Sequence, residues 1–163
     1  MPQVVVILGS RSDRPKFEDS GFLGVLNAMG ISYEVSIISA HRNPGELEEY
    51  CLNRYLDGAL VFVGIAGMAA ALPGAIAAQV PDRPVIGVPL PSDGFPDGRD
   101  ALLAMYRMPP GKPVAVCGLA NAGLLVAQLI GISNEEVREL LNDYLEQNQR
   151  KPEIGIISSE RSE

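Results

Sequence analysis

The chain contains no tryptophan, one histidine (His41) and two cysteines, and aromatics make up only 6% of it. With a single imidazole and two thiols there are too few ligands for a zinc site of the usual His/Cys composition. Cys51 and Cys117 are too far apart for a CxxC redox pair and sit in apolar or helical stretches, so they read as reduced thiols of a cytoplasmic protein. Basic runs are also missing. Lys+Arg 13 against Asp+Glu 20 leaves a net charge of -7, a poor match for a nucleic-acid backbone. An anionic ligand would have to be held by backbone amides and one or two placed cations. The first ten residues carry no basic segment, and their apolar run is too short for a signal peptide. The longest uncharged stretch, Gly58–Val80, has 23 residues, long enough to span a bilayer. Gly64, Gly67, Pro73 and Gly74 interrupt it, so it reads as a buried strand, a glycine turn and a helix, and no membrane partner is expected.

What is present suits a globular α/β domain. At 163 residues and 47% hydrophobic, the chain should bury about 70% of its unfolded surface and needs no disulfide or metal to fold. Gly 17 and Pro 13 predict many tight connections. The recurring unit is a short β-branched run, a Gly/Ser/Asn/Pro turn, then a helical pattern. Strands are predicted at Val4–Leu8, Tyr33–Ile38, Ala59–Val63, Val85–Val88 and Val114–Cys117. One helix is expected from Asp13, its cap, to Met29, stopped by Gly30. Another should start at Asn43-Pro44. Four more are expected over Ala70–Ala78, Gly98–Tyr106, Asn121–Ile130 and Asn134–Gln149. Alternation of this kind predicts a flavodoxin-like, doubly wound five-stranded parallel sheet, order 2-1-3-4-5, in three α/β/α layers. Residues 1–150 read as one domain, and 151–163 as a tail that frays or packs on a neighbouring subunit.

In such a sheet, ligands bind beyond the carboxyl ends of the strands. Three loops meet there: Gly9-Ser10-Arg11-Ser12-Asp13, Ser39-Ala40-His41-Arg42-Asn43 and Gly64-Ile65-Ala66-Gly67-Met68. Each is expected to open a helix and aim amide donors into one crevice, a place for a phosphate or carboxylate. Taken alone, the first loop fits any strand-to-helix turn. Without a GxGxxG or a Walker lysine, dinucleotide binding and NTP hydrolysis are disfavoured. His41, beside Arg42 and within reach of Asp13, suits proton transfer near neutral pH. The loop Pro89–Pro96 is long enough to cover a ligand or to form a subunit contact.

Together, GSRSD at 9–13, SAHR at 39–42, AGMAAALPG at 66–74 and MPPG at 108–111 resemble the catalytic subunit of phosphoribosylaminoimidazole carboxylase, the PurE family of purine biosynthesis. The resemblance runs over roughly residues 3–148. It implies an enzyme, used without metal or organic cofactor, that carboxylates an aminoimidazole ring bearing ribose 5-phosphate. One branch, a mutase, moves a carboxyl group from the exocyclic nitrogen to a ring carbon; the other, a carboxylase, adds free carbon dioxide there. Carried onto this chain, Ser10, Asp13, Ser39 and Arg42 would hold the nucleotide, with Gly67 and Ala69 lining the site. His41 would carry the proton of the ring carbon.

The mutase branch usually has a second histidine where this chain has Ala71. That difference, the Pro91–Phe95 loop and the segment Gly118–Ala122 point to the carboxylase branch. Against it, Arg42 stands where that branch often has lysine, and Ala69-Ala70 replaces a polar pair. The carboxylase is the first expectation, and the mutase, or a divergent member acting on or binding another nucleotide, is the alternative. The resemblance also implies an octamer, and an Ala-rich helix over 69–78 with almost no polar face is expected to be buried on both sides.

Overall fold

The computed structural model describes residues 1–149, so the expectation for the tail lies outside the described residues apart from its approach at Gln149. Five strands form one parallel sheet, β1 (Val4–Leu8), β2 (Tyr33–Ile37), β3 (Val61–Gly67), β4 (Val85–Leu90) and β5 (Ala115–Val116), in the order β2-β1-β3-β4-β5. The flavodoxin-like topology is the one anticipated. Side chains alternate across the sheet. Val4, Val6 and Leu8 face one layer, while Val5 and Ile7 face the other, and all five are fully buried.

The first layer contains α1 (Arg14–Glu18), α2 (Phe22–Ala28), α6 (Leu119–Gly131) and α7 (Glu135–Gln147). These pack Phe17, Phe22, Leu26, Val126, Ile130 and Leu141 against β1, β3 and β4. The second contains α3 (Pro44–Leu56), α4 (Leu72–Gln79) and α5 (Arg99–Tyr106), contributing Leu47, Cys51, Leu72, Ile76 and Met105. Both faces of the sheet are covered, as continuous Val/Ile runs require. Among the described residues, no helix is long and apolar enough to cross a membrane.

Several boundaries differ from the sequence expectation. The first helix is broken: a 3₁₀ turn (Arg11–Asp13) leads into α1, and Gly21, at φ 78°, reverses the chain before α2. Gly30 does end α2 as expected. At φ 63° it donates to the Asn27 carbonyl while Ile31 donates to Leu26, a Schellman closure. β5 shortens to two residues, and α6 begins two residues earlier than expected.

The largest shift is in the third strand. Gly64 to Gly67, read as a turn, are strand, and Gly64 pairs with Ile7 on one side and Gly87 on the other. A Cβ at Gly64 would lie 3.0 Å from Ile76 Cδ1 and 3.1 Å from Pro73 Cγ. One at Gly87 would meet Val114 Cγ1 at 2.9 Å and Met105 Sδ at 3.0 Å. These glycines form a flat seat for Pro73, in the first turn of α4. Their function is close approach, not reversal of the chain. β4 likewise runs on through Pro89, opposite Ala66.

Among the described residues, the α4 helix is covered on one side, not on both as expected. Leu72, Pro73, Ile76 and Ala77 are buried, while Ala71 and Ala78 are exposed. The Met108–Lys112 segment braces the helix at both ends, with Met108 against Gly74 in the first turn and Lys112 Nζ donating to the Ala78 carbonyl near the last at 3.4 Å.

Candidate active site

The first loop leaves β1 at Gly9, whose N–H donates to the Ile65 carbonyl at 2.9 Å. A Cβ there would stand 3.2 Å from Ala66 Cβ, so the ends of β1 and β3 touch. Ser10 is extended and caps the 3₁₀ turn. Its Oγ accepts from the Ser12 N–H at 3.3 Å and from the Ser12 hydroxyl at 2.9 Å. Asp13, the expected cap, makes no side-chain capping bond, because its backbone is already helical and not in the extended conformation from which a cap side chain accepts from the N–H groups of the first turn. Burial lifts the Asp13 carboxyl above its ordinary value, against the lowering effects of a Ser10 backbone hydrogen bond and the Lys16 charge.

The second loop is a tight serine turn. Ser39 Oγ accepts from the Arg42 N–H at 3.3 Å, and the Ser39 carbonyl accepts from the Asn43 N–H at 2.8 Å. Pro44 then opens α3 at its first position, where a missing N–H costs nothing. Behind this loop a polar cluster ties α3 to the edge strand β2. The Tyr50 hydroxyl donates to Glu34 Oε1 at 2.6 Å and accepts from Ser36 Oγ at 2.9 Å. Arg54 stacks on the Tyr50 ring at 5.5 Å and pairs with Asp57 at 2.7 Å. Burial and the neighbouring Glu34 carboxylate push the Tyr50 hydroxyl well above its usual range, so it stays neutral and donates at every physiological pH.

A cleft of about 390 Å³ opens between these loops, lined by Gly9, Ser10, Arg11, Ile37, Ser39, Arg42 and Asn43. Three residues singled out from the sequence, Ser10, Ser39 and Arg42, therefore come together. Arg11 and Asn43 join them, although the sequence argument had assigned them no role. The sign for Arg11 was present in the GSRSD pentapeptide itself: an exposed cation within a turn rich in hydroxyls, in a chain of net charge -7. Two guanidinium-bearing and two hydroxyl-bearing residues around one concave opening provide a lining of the kind that can hold an anion such as a phosphate.

His41, Asp13, Gly67 and Ala69 do not line this cleft. His41 is exposed on the turn between Ser39 and Arg42, and Asp13 is half-buried behind Ser10. Gly67 and Ala69 lie in the third loop, at the end of β3. Gly67 is fixed there, since a Cβ would meet the Leu90 carbonyl oxygen at 3.1 Å. The Pro91–Asp97 segment is also outside the cleft. It folds on itself through paired Ser92 and Phe95 backbone bonds of 3.1 and 3.0 Å, and Ser92 Oγ donates to Asp100 at 2.8 Å.

A larger depression of about 680 Å³ lies between α6 and α7, lined by Leu124, Tyr144, Leu145 and Glu146 among others. Among the described residues that line it, the one charged side chain is the Glu146 carboxylate, and the three loops do not bound it. Size alone does not make it the better site for an anion.

Met68, next to Gly67, is the only described non-glycine residue at positive φ, 57°. The Gly67 carbonyl accepts from the Ala70 N–H at 3.3 Å, so Met68 holds the second position of a four-residue turn where glycine is the ordinary occupant. That conformation costs a residue with a side chain about 1–3 kcal/mol, yet Met68 is 70% exposed.

Comparison with known proteins places this geometry. Residues 3–151 match the family described as AIRC, AIR carboxylase. The N5-carboxyaminoimidazole ribonucleotide mutase of Pyrococcus abyssi is 42% identical over 153 residues, covering 92% of this chain and 86% of that protein. The mutase of the same name from Mycobacterium tuberculosis is 43% identical over 140 residues, covering 84% and 78%. Among solved structures, Treponema denticola PurE superposes with a TM-score of 0.79 at 31% identity, over 91% of this chain and 92% of that one. With the sheet order, the loop motifs and these likenesses in agreement, the chain belongs to the AIR carboxylase (PurE) family of purine-biosynthesis enzymes.

Proposed function

We propose that this chain is a mutase that converts N5-carboxyaminoimidazole ribonucleotide into its ring-carboxylated isomer. The observation that carries the reading is the convergence of Arg11, Arg42, Ser10 and Ser39 on one anion-sized cleft, in a chain about 40% identical to proteins named for that reaction. The proposal departs from the first expectation from the sequence, the carboxylase, which rested on Ala71, the Pro91–Phe95 loop and the Gly118–Ala122 segment; the relatives' names favour what was there the alternative.

In this reading Arg42 and Ser39 hold the phosphate, Ser10 supports it, and Asp13 accepts from the ribose hydroxyls. Gly67 and Ala69 border the imidazole ring. The bond between the exocyclic nitrogen and the carboxyl carbon breaks, and that nitrogen takes the proton carried by His41, which leaves the imidazole free to act as base. The ring carbon then attacks the released carbon dioxide, and His41 removes the proton left on that carbon. One proton is taken up and one is given back, so the isomerisation is balanced with a single imidazole. Positioned proton transfer of this kind contributes about 10²–10⁴ in rate, and holding carbon dioxide against the ring supplies a further entropic advantage.

Ala71 supports a second reading, direct carboxylation by free carbon dioxide. It is exposed at the start of α4, and no residue from Ile65 to Pro73 carries a polar side chain. The deciding experiment gives purified protein either aminoimidazole ribonucleotide with bicarbonate or the N-carboxylated ribonucleotide, and follows the ring-carboxylated product. Fast product from the second alone is expected. Product from the first, rising with carbon dioxide, would establish the carboxylase instead. Failure with both would move the chain to other nucleotides.

Assembly into an octamer is part of the same proposal. It is supported by the uncovered face of α4 and by Val35 and Ile37 on the edge strand, 37% and 40% exposed. Light scattering that finds a monomer would refute it.

A further inference from the structure

From the strained turn at the end of β3 we infer that Met68 is a substrate-contact residue, which lays its thioether on the face of the imidazole ring. The inference rests on the nucleotide reading above and adds a residue to it. The turn is held at both ends. Gly67 abuts the Leu90 carbonyl oxygen, and Ala70 is 4% exposed in the core. Met68 therefore cannot relax by shifting its neighbours, and its φ of 57° is imposed.

Burial does not offset that strain, because the side chain is 70% exposed. Nor does Met68 serve the turn, which glycine would make without strain. What the strained backbone does achieve is to project a long apolar side chain from the carboxyl edge of the sheet. Gly9, which lines the anion cleft, packs beside Ala66, two residues before Met68. Apart from Ile37 the cleft has no large apolar wall, so it can hold a phosphate but offers little to a flat ring. The exposed residues next to Met68, Ala69 and Ala71, bring only methyl groups. A polarizable thioether is suited to an aromatic face, and its contact would hold the ring while the phosphate is clamped by Arg42.

Three variants of the full chain separate this from a purely structural role. Met68→Ala removes the thioether, Met68→Gly removes it and also relieves the backbone, and Met68→Leu keeps the apolar reach. KM and kcat for the N-carboxylated ribonucleotide, melting temperature and particle mass are read for each. KM is expected to rise about three- to tenfold in the Ala and Gly variants and to stay within about twofold in the Leu variant. The Gly variant should melt above the wild type although it binds more weakly. Wild-type KM in both truncated variants would overturn the inference, as would a drop in particle mass, which would make Met68 a subunit contact. If the wild type neither binds nor turns over the ribonucleotide, the functional reading fails first, and the inference falls with it.

Discussion

Adding one methyl group at Gly64 tests the way the sheet seats α4. In place of its hydrogen, a Cβ would lie 3.0 Å from Ile76 Cδ1, 3.1 Å from Pro73 Cγ and 3.2 Å from Pro73 Cα. The isoleucine terminus can rotate away, but Pro73 Cα is backbone and moves only if the first turn of α4 moves with it. Overpacking of this kind costs about 1–3 kcal/mol, and the reduced freedom of the unfolded chain returns about 0.5–1 kcal/mol of that. A net cost of about 0–2.5 kcal/mol remains, and for a protein of this size each kcal/mol shifts Tm by about 2–4 °C, so Gly64→Ala should melt up to about 10 °C below the wild type. Gly24→Ala is the control. Gly24 is exposed within α2 and nothing lies within 4 Å of its added Cβ, so a gain of about 1–3 °C is expected from helix propensity. Thermal unfolding by circular dichroism measures both. A Gly64→Ala protein that melts above the wild type would show that α4 does not rest on the sheet at that point. The seat would then be no account of where the third loop is held.

Other expectations concern the site more directly. His41→Asn should abolish turnover while nucleotide affinity, measured by calorimetry, stays within about tenfold, since His41 is exposed and bears no packing load. Arg42→Ala should weaken nucleotide binding at least tenfold, and Arg11→Ala by less, in a titration of either ribonucleotide. For Asp13 the sign follows from its raised pKa. The folded state holds the proton more tightly, so the stabilisation is complete below the ordinary carboxyl value and is lost as pH rises through the raised one. Asp13→Asn should therefore melt above the wild type at about pH 7, with the gain fading by about pH 3, while nucleotide binding is lost. A melting curve without that pH trend would remove burial as the dominant influence on Asp13. Thiol labelling should modify Cys117 first. Cys51 is fully buried, with its thiol pushed up to about 12, so it should react only after unfolding.

Much of this architecture was legible along the chain because it depends on local rules. Val4–Leu8 reads as a doubly covered strand since five consecutive apolar β-branched or Leu residues leave no polar face. Gly30 reads as a stop because a left-handed residue is needed there, and Asn134 reads as a start because its side chain accepts from the Val137 N–H. The first helix was misread for the same local reason. Gly21 lies inside the helix expected from Asp13 to Met29, and whether it continues or reverses the chain depends on where Phe17 and Phe22 must pack; their ring centroids stand 5.3 Å apart.

Site residues divide along similar lines. Ser10, Ser39 and Arg42 were visible as polar side chains in turns after strands, but their meeting in one cleft, with Arg11 and Asn43 beside them, depends on β1 and β2 being neighbours. Gly64 was taken for a turn because a glycine inside an apolar run signals either a reversal or a close approach, and only the position of Pro73 distinguishes the two. Met68 gave no sign at all, since a methionine in sequence carries no mark of its φ. Composition, periodicity and capping thus established the α/β class, the element order and the loops that carry chemistry, because they act over a few residues. Strand adjacency, the packing of α4 on paired glycines and the strain at Met68 arise from contacts between segments distant in sequence, and they exist only once the layers have closed on the sheet.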